Sequence, residues 1–225
     1  MNQKLTMTTR SSERQVVTNF SASNLVKSDF AGVTAHKGQF KGSALSGSDF
    51  SGADMTGSTF KNSDVREANF DGANLTDCNL SALDLTNASF NKSILVRTDF
   101  SSANLNGAQF TGVRLTDVTL TTTDLKTTVF KDCLFDGVDF KYSDLSGQRF
   151  DGQTFIGVKF DRAALINASF KGAALRNVSF HPGFTFTKKY YRMIKTVCFD
   201  GATMDKLTFA QLKGMEVNLS KVTVI

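Results

Sequence analysis

From Phe20 to Phe180 every fifth residue is a large apolar one, with Ala35 as the exception. Two positions before each stands a mostly small residue: Ser43, Ser48, Ala53, Ser58, Ser63, Ala68, Ala73, Cys78 and onward to Val178. The residue between them is usually polar, often Asp or Asn, as at Asp49, Asp54, Asn69, Asn74, Asp99 and Asn104. In an extended segment residues two apart point the same way. The small and large residues therefore face inward and the polar one outward. The remaining two positions must turn the chain. Glycine recurs at the second of them (Gly32, Gly42, Gly47, Gly52, Gly57, Gly72), where a turn with positive φ needs it. Each five residues predict one short side and one corner.

A longer period counts the sides. Positions divisible by ten are Phe from Phe20 to Phe180, except Leu80 and Leu120, whereas the positions between carry Phe only at Phe135 and Phe155. A three-sided coil would stack Phe on Leu at every level. A four-sided coil stacks like on like, with Phe30, Phe50 and Phe70 in one column and Phe20, Phe40 and Phe60 opposite. The square is the better reading. At about 4.8 Å between parallel strands it makes roughly eight coils and a rod about 40 Å long.

The segments SGADMTG, DGANLTD and SSANLNG match the A(D/N)Lxx consensus, and the chain resembles the pentapeptide-repeat family across residues 18–182. The resemblance implies an all-β, right-handed quadrilateral parallel β-helix, frequently dimeric through one end. Some members resemble duplex DNA in shape and negative charge, and bind type II topoisomerases, inhibiting them or protecting them from drugs.

Around that body, residues 1–17 are expected to cap the N-terminal end, and residues 183–225 to form a break and a last coil, all within one domain. The register fails in HPGFTFTKKYYRMIKT, which holds the single proline, and resumes at Val197, Cys198 and Phe199, continuing through Met204, Phe209, Leu219 and Val224. Residues 181–196 must leave the coil as a loop or short helix. KKYYRMIK could be a basic aromatic patch for nucleic acid or membrane, but reads better as a cap whose Tyr190, Tyr191, Met193 and Ile194 pack on the last coil.

Charge changes the functional picture. The net charge is +5, yet residues 18–182 carry 16 Lys/Arg against 17 Asp/Glu, so the excess lies in the ends. A near-neutral body lacks the strong anionic field that DNA mimicry requires, which argues against a gyrase-type partner while the rod itself argues for one. The start is polar, without an apolar run, and the three cysteines lack metal spacing, so the expected setting is cytoplasmic, with no membrane association.

Catalysis needs convergent groups in a cleft. His36 and His181 are expected to face outward at opposite ends, and the recurring Asp residues read as caps on turn amides. The expectation is a non-enzymatic binding or scaffold protein with no catalytic residues, cofactor or metal, and no direct contact with nucleic acid. Gln148 and Gln153 fall at inward positions and must find hydrogen-bond partners there.

Two surfaces stand out. One side carries Ile94, Val96, Leu134 and Ile156 at outward positions beside Arg97, Arg114 and Arg176, the mixture of a protein-contact face. At the C-terminal end Phe209, Leu212, Met215, Val217 and Val224 are expected to form an uncovered edge that pairs with a second copy of the chain.

Overall fold

The computed structural model describes residues 18–183 and 188–225, and its body is a right-handed, four-sided parallel β-helix. The expected N-terminal cap, residues 1–17, lies outside the described residues. Parallel bridges join residues one coil apart: Asn19 to Gln39, Asn24 to Ala44, Asp29 to Asp49, Thr34 to Asp54, and so on up to Lys159 with Ser179. The four sides are named here by their inward column: first (Phe20, Phe40 to Phe180), second (Leu25, Leu45 to Leu165), third (Phe30, Phe50 to Phe170) and fourth (Ala35, Met55 to Leu175).

Some sides lengthen into strands. In chain order these are β1 (Ile94–Val96), β2 (Gln109–Thr111), β3 (Arg114–Thr116), β4 (Val129–Lys131), β5 (Leu134–Asp136), β6 (Thr154–Ile156) and β7 (Ala174–Arg176). They are followed by α1 (Lys188–Ile194), β8 (Thr203–Met204), α2 (Lys206–Gly214) and β9 (Thr223–Val224). The fourth side is one parallel sheet in the order β1-β3-β5-β6-β7-β8-β9, and β2 pairs with β4 on the third.

The sides that lengthen are those whose following corner stays open. At most corners the amide of the inward residue that follows closes onto the carbonyl three residues back, as from Ser48 to Leu45 (3.0 Å) and Ala73 to Phe70 (3.0 Å). Before Val113, Val118, Val138, Val158 and Val178, and likewise before Thr98 and Cys133, the corner is an open bend, and the preceding side is a strand. A β-branched side chain is wider at Cβ and stiff in χ1. Valine there favours the open corner without being required for it: Cys133 also follows an open bend, and buried Thr128 follows a closed corner (3.2 Å). Val33, 39 % exposed at the loosely filled N-terminal end, keeps the closed form.

The core is aromatic. Phe30, Phe50, Phe70, Phe90 and Phe110 stack at 4.8–5.2 Å between centroids and within 7° of parallel. The first-side rings meet them edge-on, as Phe90 meets Phe100 at 5.4 Å and 90°. Offset stacks along the axis and T-shaped contacts across it are the favoured aromatic geometries. The thin coil at Ala35 is filled by the ring of Phe40: a Cβ on Gly38 would lie 2.8 Å from that ring.

Polar inward residues are tied to the coil beneath. The side chains of Ser48, Ser58, Cys78, Thr98 and Thr128 donate to the carbonyls of Leu25, Ala35, Met55, Leu75 and Leu105, always 23 residues back. Gln148 and Gln153 follow the same rule with longer arms. Gln148 donates to Leu125 O and to Thr128 O (2.7 Å). Gln153 donates to Phe130 O (3.1 Å) and accepts from the amide of Cys133 (3.3 Å). The expected partners exist.

After Phe180 the chain leaves the coil, and α1 takes the place of a second-side strand. Tyr190 and Ile194 are buried, and Tyr191 and Met193 pack partly against the core, as a cap requires. Phe199 then stacks on Phe170 (5.4 Å), so the third side resumes. The expectation that Phe209 continues the repeat is corrected: it lies in α2, which closes the first side instead. Asp205 caps α2, accepting from Leu207 N (2.8 Å) and Thr208 N (3.0 Å), while Gln211 accepts from the amide of Phe180 (3.0 Å).

Candidate functional site: the fourth side

The register places the seven surface residues named from the sequence on one side. Ile94, Arg114 and Leu134 stand in register in one outward column, and Ile156 and Arg176 are paired in the other, which also holds Val96 paired with Thr116. Arg97 sits at the corner beside Val96 with φ 50°. Ile94 is 50 % exposed and Ile156 36 %, whereas Val96 and Leu134 are half-buried.

This apolar character begins abruptly. The coils below present Asp54, Thr56, Asn74 and Thr76, tied to one another: Thr56 Oγ1 donates to Asp54 (2.6 Å) and Asn74 Nδ2 donates to Thr56 Oγ1 (3.1 Å). Ile94 is bridged directly to Asn74. The boundary therefore lies between two adjacent coils.

Two of the three arginines are already occupied. Arg97 forms a two-pronged pair with Asp77 (2.7 and 2.8 Å), and Arg114 reaches Asp136 at 2.9 Å. Hydrogen bonding from Arg97 holds the Asp77 carboxyl below its usual range. Exposed pairs of this sort are screened by solvent and open easily to a new partner. Arg176 has no ion pair among the described residues.

Elsewhere the polar groups serve the scaffold. Asp49, Asp84 and Asp144 each accept from an amide two residues on, at Ser51, Thr86 and Ser146 (2.9–3.1 Å). These are the expected turn caps. His36 Nε2 meets Asp54 at 2.8 Å, and His181 Nδ1 meets Gln211 at the other end (3.0 Å). Desolvation pushes the Cys78 thiol up to about 12 and that of Cys133 to about 11, so neither has the lowered pKa of a nucleophile. Among the described residues no group of His, Cys, Asp or Glu is arranged to hold a metal ion. No described helix is long and apolar enough to cross a membrane.

The five residues expected at the C-terminal edge separate. Leu212, Met215 and Val217 are buried under their own chain, Phe209 is half-buried, and Val224 is 41 % exposed. Residues missed by sequence reasoning complete the edge: Ile225 is 54 % exposed and Leu207 70 %. The signal for α2 was present in MDKLTFAQLKG, an Asp at the start and a Lys-Gly at the end of a helical stretch.

No curated protein sequence matches the chain significantly. Among solved structures, full-length QnrB1, described as a plasmid-mediated fluoroquinolone resistance protein, superimposes with a TM-score of 0.64 at 19 % identity, covering 85 % of this chain and 95 % of that one. A trypsin-treated form of QnrB1 gives 0.63 at 19 % identity, over 89 % and 97 %. At such identity the likeness concerns the fold. A pentapeptide repeat protein from the Arabidopsis thaliana thylakoid lumen is 35 % identical over 43 % of this chain and 63 % of its own, with a TM-score of 0.33. The model of the pentapeptide repeat region matches residues 33–110, 53–128 and 104–180, in phase with the bridged coils, and the chain belongs to the pentapeptide-repeat family.

Proposed function

We propose that this protein is a non-enzymatic binding or scaffold protein that presents the fourth side of its rod to a protein partner. One observation carries the reading: Ile94, Val96, Leu134 and Ile156 share one side with Arg97, Arg114 and Arg176 over five successive coils. Aliphatic anchors beside arginine are the usual composition of an energetic contact. The test is capture of a partner from lysate by the parent and by an Ile94→Asp/Ile156→Asp variant. Loss of the same partner supports the assignment, and unchanged capture refutes it.

A second reading, a topoisomerase-binding resistance or immunity factor, is favoured by the likeness of the whole rod to QnrB1. The balance of 16 basic and 17 acidic residues in the body weighs against a DNA-mimic form of it. A gyrase supercoiling assay with and without a quinolone decides: no inhibition and no protection removes this reading.

We further propose a cytoplasmic setting and a homodimer through the C-terminal edge, with Leu207, Phe209, Val224 and Ile225 as its apolar surface. Light scattering of the parent and of Leu207→Lys/Val224→Lys tests the dimer. A parent that is monomeric at micromolar concentration ends that part.

A further inference from the structure

A different surface lies where α1 meets the second side. For most of its length that side bears a polar column: Asn24, Ala44, Asp64, Asp84, Asn104, Asp124 and Asp144, paired in succession. The column ends at Ala164, and the next outward residue, Ile166, is 46 % exposed. Helix α1 packs beside this apolar step, with Met193 Sδ accepting from the amide of Leu165 at 3.2 Å. Between them lies an open groove of about 600 Å³ whose floor is Ala163, Ala164, Ile166 and Met193.

The rim of the groove is basic. Arg162, Lys189 and Arg192 line it, and none has a carboxylate partner among the described residues. Arg162 is held in place by Tyr142, with Nη1 donating to the phenol oxygen (2.7 Å) and the guanidinium 5.3 Å from the ring centre. The opposite rim is Asp144, which is bound to Lys126 at 3.2 Å. A ligand here meets three cations without carboxylate partners at one edge, of which Arg162 is held by Tyr142, with aliphatic groups beneath and a neutralised carboxylate at the far edge.

We infer that this groove docks an acidic peptide segment of a partner protein, seating an aliphatic or aromatic side chain on Ile166 and Met193 with its carboxylates toward Arg162, Lys189 and Arg192. The floor offers apolar contact without convergent polar donors, which suits a side chain better than a polar metabolite. The cations set orientation and rate of encounter, and exclude basic segments. The inference is independent of the fourth side, since none of its residues lies there.

The experiment uses the full chain with labelled Ile and Met methyl groups. The probe is a capped Glu-Leu-Asp-Phe-Glu-Leu-Asp peptide, compared with its Gln/Asn counterpart and a short DNA duplex. The acidic peptide is expected to shift the methyl signals of Ile166 and Met193 in a saturable way, and the neutral peptide to bind far more weakly. Lys189→Glu/Arg192→Glu should weaken binding by about tenfold or more, as removal and reversal of two rim charges implies. An unchanged melting profile shows that these exposed substitutions leave the fold intact. Absence of methyl shifts at millimolar peptide, equal binding of the neutral peptide, or insensitivity to the charge reversal overturns the proposal. So does a response of the same methyls to the duplex alone.

Discussion

Replacing Phe90 by Ala removes a fully buried ring from the middle of the rod. That ring stacks on Phe70 at 5.2 Å and on Phe110 at 4.8 Å, and meets Phe100 edge-on at 5.4 Å. The space left cannot collapse, because each stacked neighbour is held at its own level by the pairing of its own coil. The cost should fall at the upper end for a buried Phe→Ala change, about 5 kcal/mol. Phe20 has a similar pair of ring neighbours, Phe30 and Phe40, but is only half-buried at the end of the described coils. Its loss frays one terminus, at about 1–2 kcal/mol. Urea denaturation followed by circular dichroism gives both values, and hydrogen exchange shows whether protection is lost around the substituted coil. If Phe90→Ala and Phe20→Ala prove equal within about 1 kcal/mol, the column is not the cooperative element claimed here.

Thr122 occupies a corner at φ 58°, where a β-branched residue is strained, so Thr122→Gly should stabilise by about 0.5–1 kcal/mol in the same assay. Ser58→Ala removes the hydroxyl that donates to Ala35 O (2.7 Å) and accepts from the Gly38 amide (2.9 Å), groups that also bond to each other (3.1 Å), and should cost about 0.5–1.5 kcal/mol, with no loss read as refutation. Burial opposes ionisation of Asp205, but the amides of Thr208, Asn177 and Leu207 outweigh it and lower its pKa. Its stabilising contribution is therefore complete above the ordinary carboxylate pKa of about 3.9 and fades as pH falls through the lower folded value. The stability gap between parent and Asp205→Ala, about 1 kcal/mol at pH 7, should narrow in acid. Cys133 should resist alkylation at neutral pH until denaturant opens its coil, and immediate labelling of the native chain would contradict its burial.

The five-residue and ten-residue periods made the square coil legible, because inward packing repeats without interruption and each column tolerates one kind of side chain. The side carrying Ile94 and Ile156 was legible for the same reason: once the coil length is known, outward residues sort themselves. The corners were less so. Glycine marks many of them, but Lys92, Asp117 and Tyr142 adopt the same positive φ, since coil-to-coil pairing outweighs their local preference. Whether a side lengthens depends on whether its corner stays open, which five valines accompany but which also happens before Thr98 and Cys133. The hydroxyl and thiol ladder joins residues 23 apart, a span that is neither the repeat nor the coil. The C-terminal end misled at Phe209, which keeps the five-residue phase while lying in a helix, whereas Leu219 stands one coil of twenty residues beyond Phe199 and does resume the repeat.

Pairing one full coil apart also determines how such a chain can change length. Removing five residues would turn everything downstream by a quarter of the square. Ile156 and Arg176 would then leave the side that bears Ile94 and join the neighbouring one. Removing a whole coil shortens the rod while leaving every surface aligned. The segment around α1 achieves a third outcome: its length is no multiple of five, yet Phe199 returns to the column of Phe170. The heritable module of this protein is therefore the complete turn, and a non-modular insertion is harmless only where a helix can take up the phase.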